Sequence, residues 1–328
     1  MVRFTKCLVA VVALGFVVGS ACKKADNASA GGGGATGDDV ALIPADSEVV
    51  FGLNFAQLQQ SALWKQYSPK IMAKMSDKLT QFQAACGFDP MTSFKSMTMG
   101  MKNVGAGNGA KPDGVMVIHG PDKAKVMACM DKYKAEAAKD GTELTVDGDV
   151  VLVKDTKDNQ TAAMTFVNDT TMIATIGALG TKDGVKAAAK GSNGLKSSQM
   201  FNDLFGKINT GDSFWVMVNG NSPLLDKASM IGKPKAMYGS LNITDGLSVD
   251  FHVKAASPDE AKSLVDMAKA QTDSPQVKQM VDKIEVSNAG DDAHFVVAMS
   301  AQKLQALVGM FGGMMGMMGG GAGGGGTP

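Results

Sequence analysis

The chain has 328 residues, 32 basic and 32 acidic, with 45% hydrophobic but only 6% aromatic content. A neutral balance gives no electrostatic pull toward nucleic acid or an anionic lipid surface. With 24 methionines and few rings, the core is expected to be filled by Met, Val, Ala and Leu.

The first 21 residues read as a secretory signal peptide: Arg3 and Lys6, an apolar run from Cys7 to Val18, then the small residues Gly19, Ser20 and Ala21 before Cys22. Twelve apolar residues as a helix reach roughly 18 Å, short of the roughly 30 Å hydrocarbon core, so a stable span is not expected. Val18-Gly19-Ser20-Ala21-Cys22 resembles the lipobox of bacterial lipoproteins, with Gly19 where that pattern usually has an aliphatic residue. The resemblance implies diacylglycerol attachment at Cys22; ordinary cleavage after Ala21 is the alternative. Lys23 follows the cysteine where Asp would resemble an inner-membrane retention signal, which points to the outer membrane. Loss of the signal leaves 30 basic against 32 acidic residues.

Residues 22–39 are Gly-, Ala-, Asn- and Asp-rich, including Gly31 to Gly34, and read as a flexible tether. The seventeen residues after Cys22, Lys23 to Asp39, span about 23 Å root-mean-square, enough to hang a folded body clear of a headgroup layer. About 270 residues remain before the glycine-rich end, ample for one large or two modest cores.

From Glu48 to Asn54 the alternation predicts a strand, and a helix follows with Ile71, Met75, Leu79, Phe82 and Cys86 along one face, stopped at Gly87 to Pro90. Met97 to Lys102 and Gly114 to His119 are strands joined by a glycine-rich loop. A helix opened by Pro121-Asp122 carries Val126, Met127, Met130 and Tyr133. Hairpins follow at Thr142 to Lys154, around Asp147-Gly148, and at Ala163 to Ile176, around Asn168-Asp169. Two short helices cover Asp183 to Lys190 and Gln199 to Ile208.

The order then begins again. Ser213 to Asn219 reads like Glu48 to Asn54, strands run from Met237 to Ile243 and from Leu247 to Lys254, and Ser257-Pro258-Asp259-Glu260 opens a helix. Pro258-Asp259-Glu260-Ala261-Lys262 parallels Pro121-Asp122-Lys123-Ala124-Lys125, and a hairpin from Ile284 to Met299 follows. These elements predict an α+β fold of two similar halves, residues 40–208 and 209–311, each an antiparallel sheet with helices on one side. Ile43-Pro44-Ala45-Asp46-Ser47, Ser61-Ala62-Leu63-Trp64, Cys86-Gly87-Phe88-Asp89-Pro90 and Val167-Asn168-Asp169-Thr170-Thr171 resemble segments of uncharacterised lipoproteins of myxobacteria and their relatives, a secreted bacterial class of unknown function. That resemblance covers most of residues 40–300 and implies export and a duplicated α+β body. It brings no catalytic residues.

Of four cysteines, Cys7 leaves with the signal and Cys22 is the lipidation candidate. Cys86 and Cys129 are expected to form a disulfide in an oxidising compartment, with two buried free thiols as the alternative. His119, His252 and His294 each fall on a strand and lack metal-ligand spacing, so they read as three partly buried or edge histidines, with a shared metal or proton-handling site as the alternative, and no metal or cofactor is assigned. Gly105-Ala106-Gly107-Asn108-Gly109 leads through Lys111-Pro112 into a strand rather than a helix, so it is no phosphate loop. With no His-Glu-x-x-His, Cys-x-x-Cys or Gly-x-Ser-x-Gly, the reading is a non-enzymatic, lipid-anchored outer-membrane protein that binds an envelope protein or apolar ligand. The alternatives are an enzyme with a site in a cleft between the halves, and a copper-handling protein using the Met-rich end, Met310 with Met314, Met315, Met317 and Met318 of the disordered 312–328 tail.

Overall fold

In the computed structural model the described residues are 38–106, 111–139, 141–191, 194–227 and 232–307. The signal peptide, Cys22, nearly all of the tether and the Met/Gly-rich tail lie outside them. Among the described residues no helix is long and apolar enough to cross a membrane.

The body is a mixed α+β structure around one antiparallel sheet of 12 strands. In chain order the elements are α1 (Asp39–Leu42), β1 (Val49–Asn54), α2 (Phe55–Gln60), α3 (Ala62–Cys86), α4 (Pro90–Ser93), β2 (Ser96–Lys102), β3 (Asp113–His119) and α5 (Lys123–Lys139). Then come β4 (Thr142–Asp147), β5 (Val150–Asp155), β6 (Gln160–Asn168), β7 (Thr171–Ile176), α6 (Lys182–Lys190) and α7 (Gln199–Phe205). The chain continues with β8 (Phe214–Asn219), β9 (Ala236–Ile243), β10 (Gly246–Lys254), α8 (Pro258–Thr272), α9 (Pro275–Met280), β11 (Lys283–Ala289) and β12 (Asp292–Ser300). Across the sheet the order is β11-β12-β10-β9-β8-β1-β2-β3-β7-β6-β5-β4.

Local chemistry sets the boundaries. Ser61 Oγ caps α3 by accepting from Trp64 N at 3.0 Å, and Gly87 ends it in the left-handed conformation, φ 73°. Pro69 is carried inside α3 without an N–H for the exposed Lys65 carbonyl, which water can satisfy. Ser257 caps α8, with Pro258 in its first turn, and the Glu260 carboxylate reaches back to Ala256 N at 3.2 Å. Gly148, φ 65°, supplies the positive φ that closes the two-residue turn between β4 and β5.

The expectation of helices on one side is corrected by the packing, which covers both faces over β1–β3 and β5–β8. On one face Met97, Met99, Met116 and Ile118 pack with Phe55, Leu58, Leu63 and Phe94 under α2–α5. On the other, Val50, Val115, Val117, Ile173 and Trp215 pack with Val40, Val185, Phe201 and Leu204 of α1, α6 and α7. The physical reason stands in β3, where Val115, Met116, Val117 and Ile118 are all buried: an unbroken apolar run needs cover on both faces. β10 instead alternates, and α8 covers only one of its faces through Val253, Ala261, Leu264 and Val265. Its other face, shared with β12, is left open.

Residues 40–208 and 209–311 contribute to the same sheet, joined where β1 pairs β8 with Phe51 opposite Val216. That junction is a hydrogen-bonded strand pair over which the Trp215 indole lies. Cys86 and Cys129 are brought to disulfide distance, Cα atoms 4.5 Å apart, linking the end of α3 to α5.

Candidate functional site

The face shared by β9, β10 and β12 carries a row of rings that starts at the buried Tyr238 and runs out to the partly exposed His294. Antiparallel register sets Tyr238 beside His252 and His252 beside His294. The three rings stack nearly parallel, with centroids 4.6 Å and 4.1 Å apart. Along the strands, a period of two puts Asp250 on the same face as His252, and Asp292 on the same face as His294.

The two carboxylates grip opposite sides of the imidazoles. Asp250 Oδ1 lies 2.8 Å from His294 Nε2 and 3.2 Å from His252 Nε2. Asp292 Oδ1 lies 3.2 Å from His252 Nδ1, while its Oδ2 accepts the Tyr238 hydroxyl and sits 3.7 Å from Lys207 Nζ. Lys207, just past α7, also stands 6.0 Å from the Tyr238 ring centroid, so the site begins where the helical cover stops. Burial pushes the His252 imidazole below its usual pKa range against the pull of Asp292, and raises the Tyr238 phenol well above its own. Nearby, burial raises the Asp212 carboxyl, which accepts from Ser240 Oγ at 2.6 Å.

Asp250 differs from its acidic neighbours in its partners. Asp292 has Lys207, and Asp291 has Lys254 and Lys235 at 2.9 Å and 3.1 Å. Among the described residues, the ion-pairing partners of Asp250 are the two histidines, with no lysine or arginine beside it. Asp250, His252 and His294 offer one carboxylate oxygen and two imidazole nitrogens, all within 4.8 Å of one another.

The lysine bonds hold the Asp291 carboxyl below the usual carboxylate range. A depressed folded-state pKa contributes stability above the unfolded value of about 3.9, and this is lost as pH falls through the folded value. Because the groups are partly exposed, Asp291→Asn is expected to cost less than ~1 kcal/mol at neutral pH. Urea unfolding should show the gap closing as pH falls below the unfolded carboxylate value and through the lower folded one; a gap that persisted in strong acid would place the effect in shape rather than charge.

The three histidines lack metal-ligand spacing in the sequence, and the structure brings two of them together. His119 stands apart on the other segment, where Nε2 meets the buried Asp39 at 2.8 Å and Nδ1 meets Thr171 Oγ1 at 3.2 Å. Thr98 Oγ1 donates to the same carboxylate at 3.1 Å, so this set pins α1 onto β2 and β3. The missed signal was Asp250-Phe251-His252 and Asp292-Ala293-His294: the same Asp-x-His pattern on two strands, each placing carboxylate and imidazole on one face. Cys86 and Cys129 lie on the opposite side of the sheet system, with α3 and α5, and take no part in this site. Comparison with protein-family models, with curated proteins and with solved structures finds no match, so the site is interpreted on its own chemistry.

Proposed function

We propose that this chain is an exported, lipid-anchored binding protein of the cell envelope, held at the outer membrane through Cys22, whose open β9–β10–β12 face takes a ligand without turning it over. The observation that carries the binding reading is the row that runs from the buried Tyr238 through His252 to the partly exposed His294, flanked by Asp250 and Asp292 where the helical cover ends. Rings and carboxylates gathered where the helical cover ends add little to stability, because stacking and exposed ion pairs stabilise by only about 1 kcal/mol each.

Internal duplication is part of the same proposal. β8, β9 and β10 repeat the sequential antiparallel pairing of β1, β2 and β3, a helix follows each trio, and the last strand of each segment returns beside the third, β12 by β10 and β7 by β3. The β1–β8 pair, antiparallel through Phe51 and Val216, supplies the axis relating the two. The first segment then carries one additional hairpin. In this register His119 aligns with Lys254 rather than with His252, so the imidazole site belongs to the second copy alone.

The anchor reading is supported by the signal layout, the lipobox-like residues before Cys22 and the tether behind it. Membrane fractionation tests it. The protein is expected in the outer-membrane fraction, and Cys22→Ser is expected to move more than about tenfold of it into the soluble exported fraction, since lipid chains contribute about 0.8 kcal/mol per buried CH₂. Equal partition of both forms would remove the anchor.

A further inference from the structure

The ligand class follows from the donors, and rests on the reading of this face as a binding surface. We infer that Asp250 Oδ1, His252 Nε2 and His294 Nε2 together hold one divalent first-row transition-metal ion, with zinc as the reference ion.

Three features of the site converge on a cation. First, the donor set is two imidazoles and one carboxylate, which suits zinc, copper, nickel or iron and disfavours magnesium and calcium, which take all-oxygen shells. Second, Asp292 accepts at His252 Nδ1 across 3.2 Å, and a carboxylate holding one ring nitrogen fixes the tautomer whose other nitrogen is a lone-pair donor. With Nδ1 turned to Asp292, His252 Nε2 faces Asp250 Oδ1 at 3.2 Å, so the second ring nitrogen and the carboxylate are aimed at the same space. Third, Asp250 has no lysine or arginine partner among the described residues, unlike Asp291 and Asp292 beside it.

The geometry needs a small adjustment. Zinc bonds of about 2.1 Å at tetrahedral angles separate donors by about 3.4 Å, close to the 2.8 Å and 3.2 Å between Asp250 Oδ1 and the two nitrogens. The imidazole planes lie 7° from parallel, so their lone pairs run side by side and one ring must tilt for both to converge. His294, the more exposed at 33% against 16%, is the ring free to swing, while Asp292 holds His252 in place. Three protein ligands at a solvent-facing site leave a coordination position to water or an incoming group. That arrangement suits capture and hand-off of an ion rather than a closed structural site.

Isothermal titration of the purified protein with Zn²⁺ at pH 7.5 tests the inference, with Mg²⁺ and Ca²⁺ as controls. One high-affinity equivalent of zinc and no heat from the hard cations is expected. His252→Ala, His294→Ala and the isosteric Asp250→Asn should each abolish that equivalent, and Asp292→Asn should weaken it about 10- to 100-fold. Failure of the parent protein to bind zinc, or full retention of binding in both histidine variants, overturns the inference. Melting curves of the same variants separate this failure from failure of the binding-face reading. Melting temperatures near the parent's keep the face as a ligand surface of other chemistry, whereas a fall of more than about 8 °C in both histidine variants, several kcal/mol by the usual scaling, would make the ring row a structural element and remove that reading as well.

Discussion

Trp215→Ala is expected to lower the unfolding free energy by about 4 kcal/mol, within the range for removing a large buried ring. Trp215 is 1% exposed and belongs to β8, the strand that joins the two segments through β1. Its indole lies across Gly52 of β1 so closely that any Cβ at that position would overlap the ring. From above, Phe205 of α7 meets it edge-on with centroids 5.5 Å apart. The side chain therefore fills the space between sheet and cover at the middle of the sheet, where strands on both sides limit collapse into the vacancy. Gly52→Ala attacks the same contact from below and is expected to cost about 1–3 kcal/mol by overpacking. In the double variant the new methyl occupies part of the vacated space, so the combined loss should fall short of the sum, a coupling readable in a double-mutant cycle. Urea unfolding of the four proteins checks this. A loss below about 1 kcal/mol for Trp215→Ala would contradict the packing of α7 against the β1–β8 junction.

Replacing Cys86 and Cys129 together by Ser should cost about 4 kcal/mol, the chain-entropy value for a closure of 43 residues. The effect is concentrated on α3, a 25-residue helix whose second half is largely exposed and which Cys86 fastens at its C-terminus to the buried Cys129 of α5. Phe82 and Phe88, ring centroids 5.3 Å apart, brace the same end. Without the bridge, the C-terminal part of α3 is expected to lose amide-exchange protection first, with the strands of the sheet following only on global unfolding. Reductant should reproduce the double substitution on the parent protein and leave the double variant unchanged. A parent protein indifferent to reductant, with two free thiols titrating on unfolding, would contradict the bridge.

Much of the local structure was legible because it is set by neighbours in the chain. The Asp147-Gly148 turn, the caps at Ser61 and Ser257 and the alternation of β10 each need only a few adjacent residues. The two-sided cover over β3 also had a signal, the unbroken Val115–Ile118 run, which one-sided packing cannot accommodate. α4 is a single turn opened by Pro90, so the proline that reads as part of a stop after Cys86 begins a helix at its first position. The strand order is another matter: β1 and β8 are separated by six strands of sequence, and nothing in either reports the other.

The same limit hid the candidate site. Asp250-Phe251-His252 and Asp292-Ala293-His294 each declare a polar face, but only the β10–β12 register sets His252 opposite His294, and a slip of one residue would place the two imidazoles on opposite faces. Cysteine pairing was accessible by elimination, whereas histidine pairing required the sheet.

X-ray absorption at the zinc edge of the loaded protein tests the metal assignment most directly. Asp250, His252 and His294 predict a first shell of nitrogen and oxygen at about 2.0–2.1 Å, with the outer-shell scattering of two imidazoles that falls to one in His294→Ala. A sulfur shell near about 2.3 Å, or an oxygen-only shell without imidazole scattering, would contradict it.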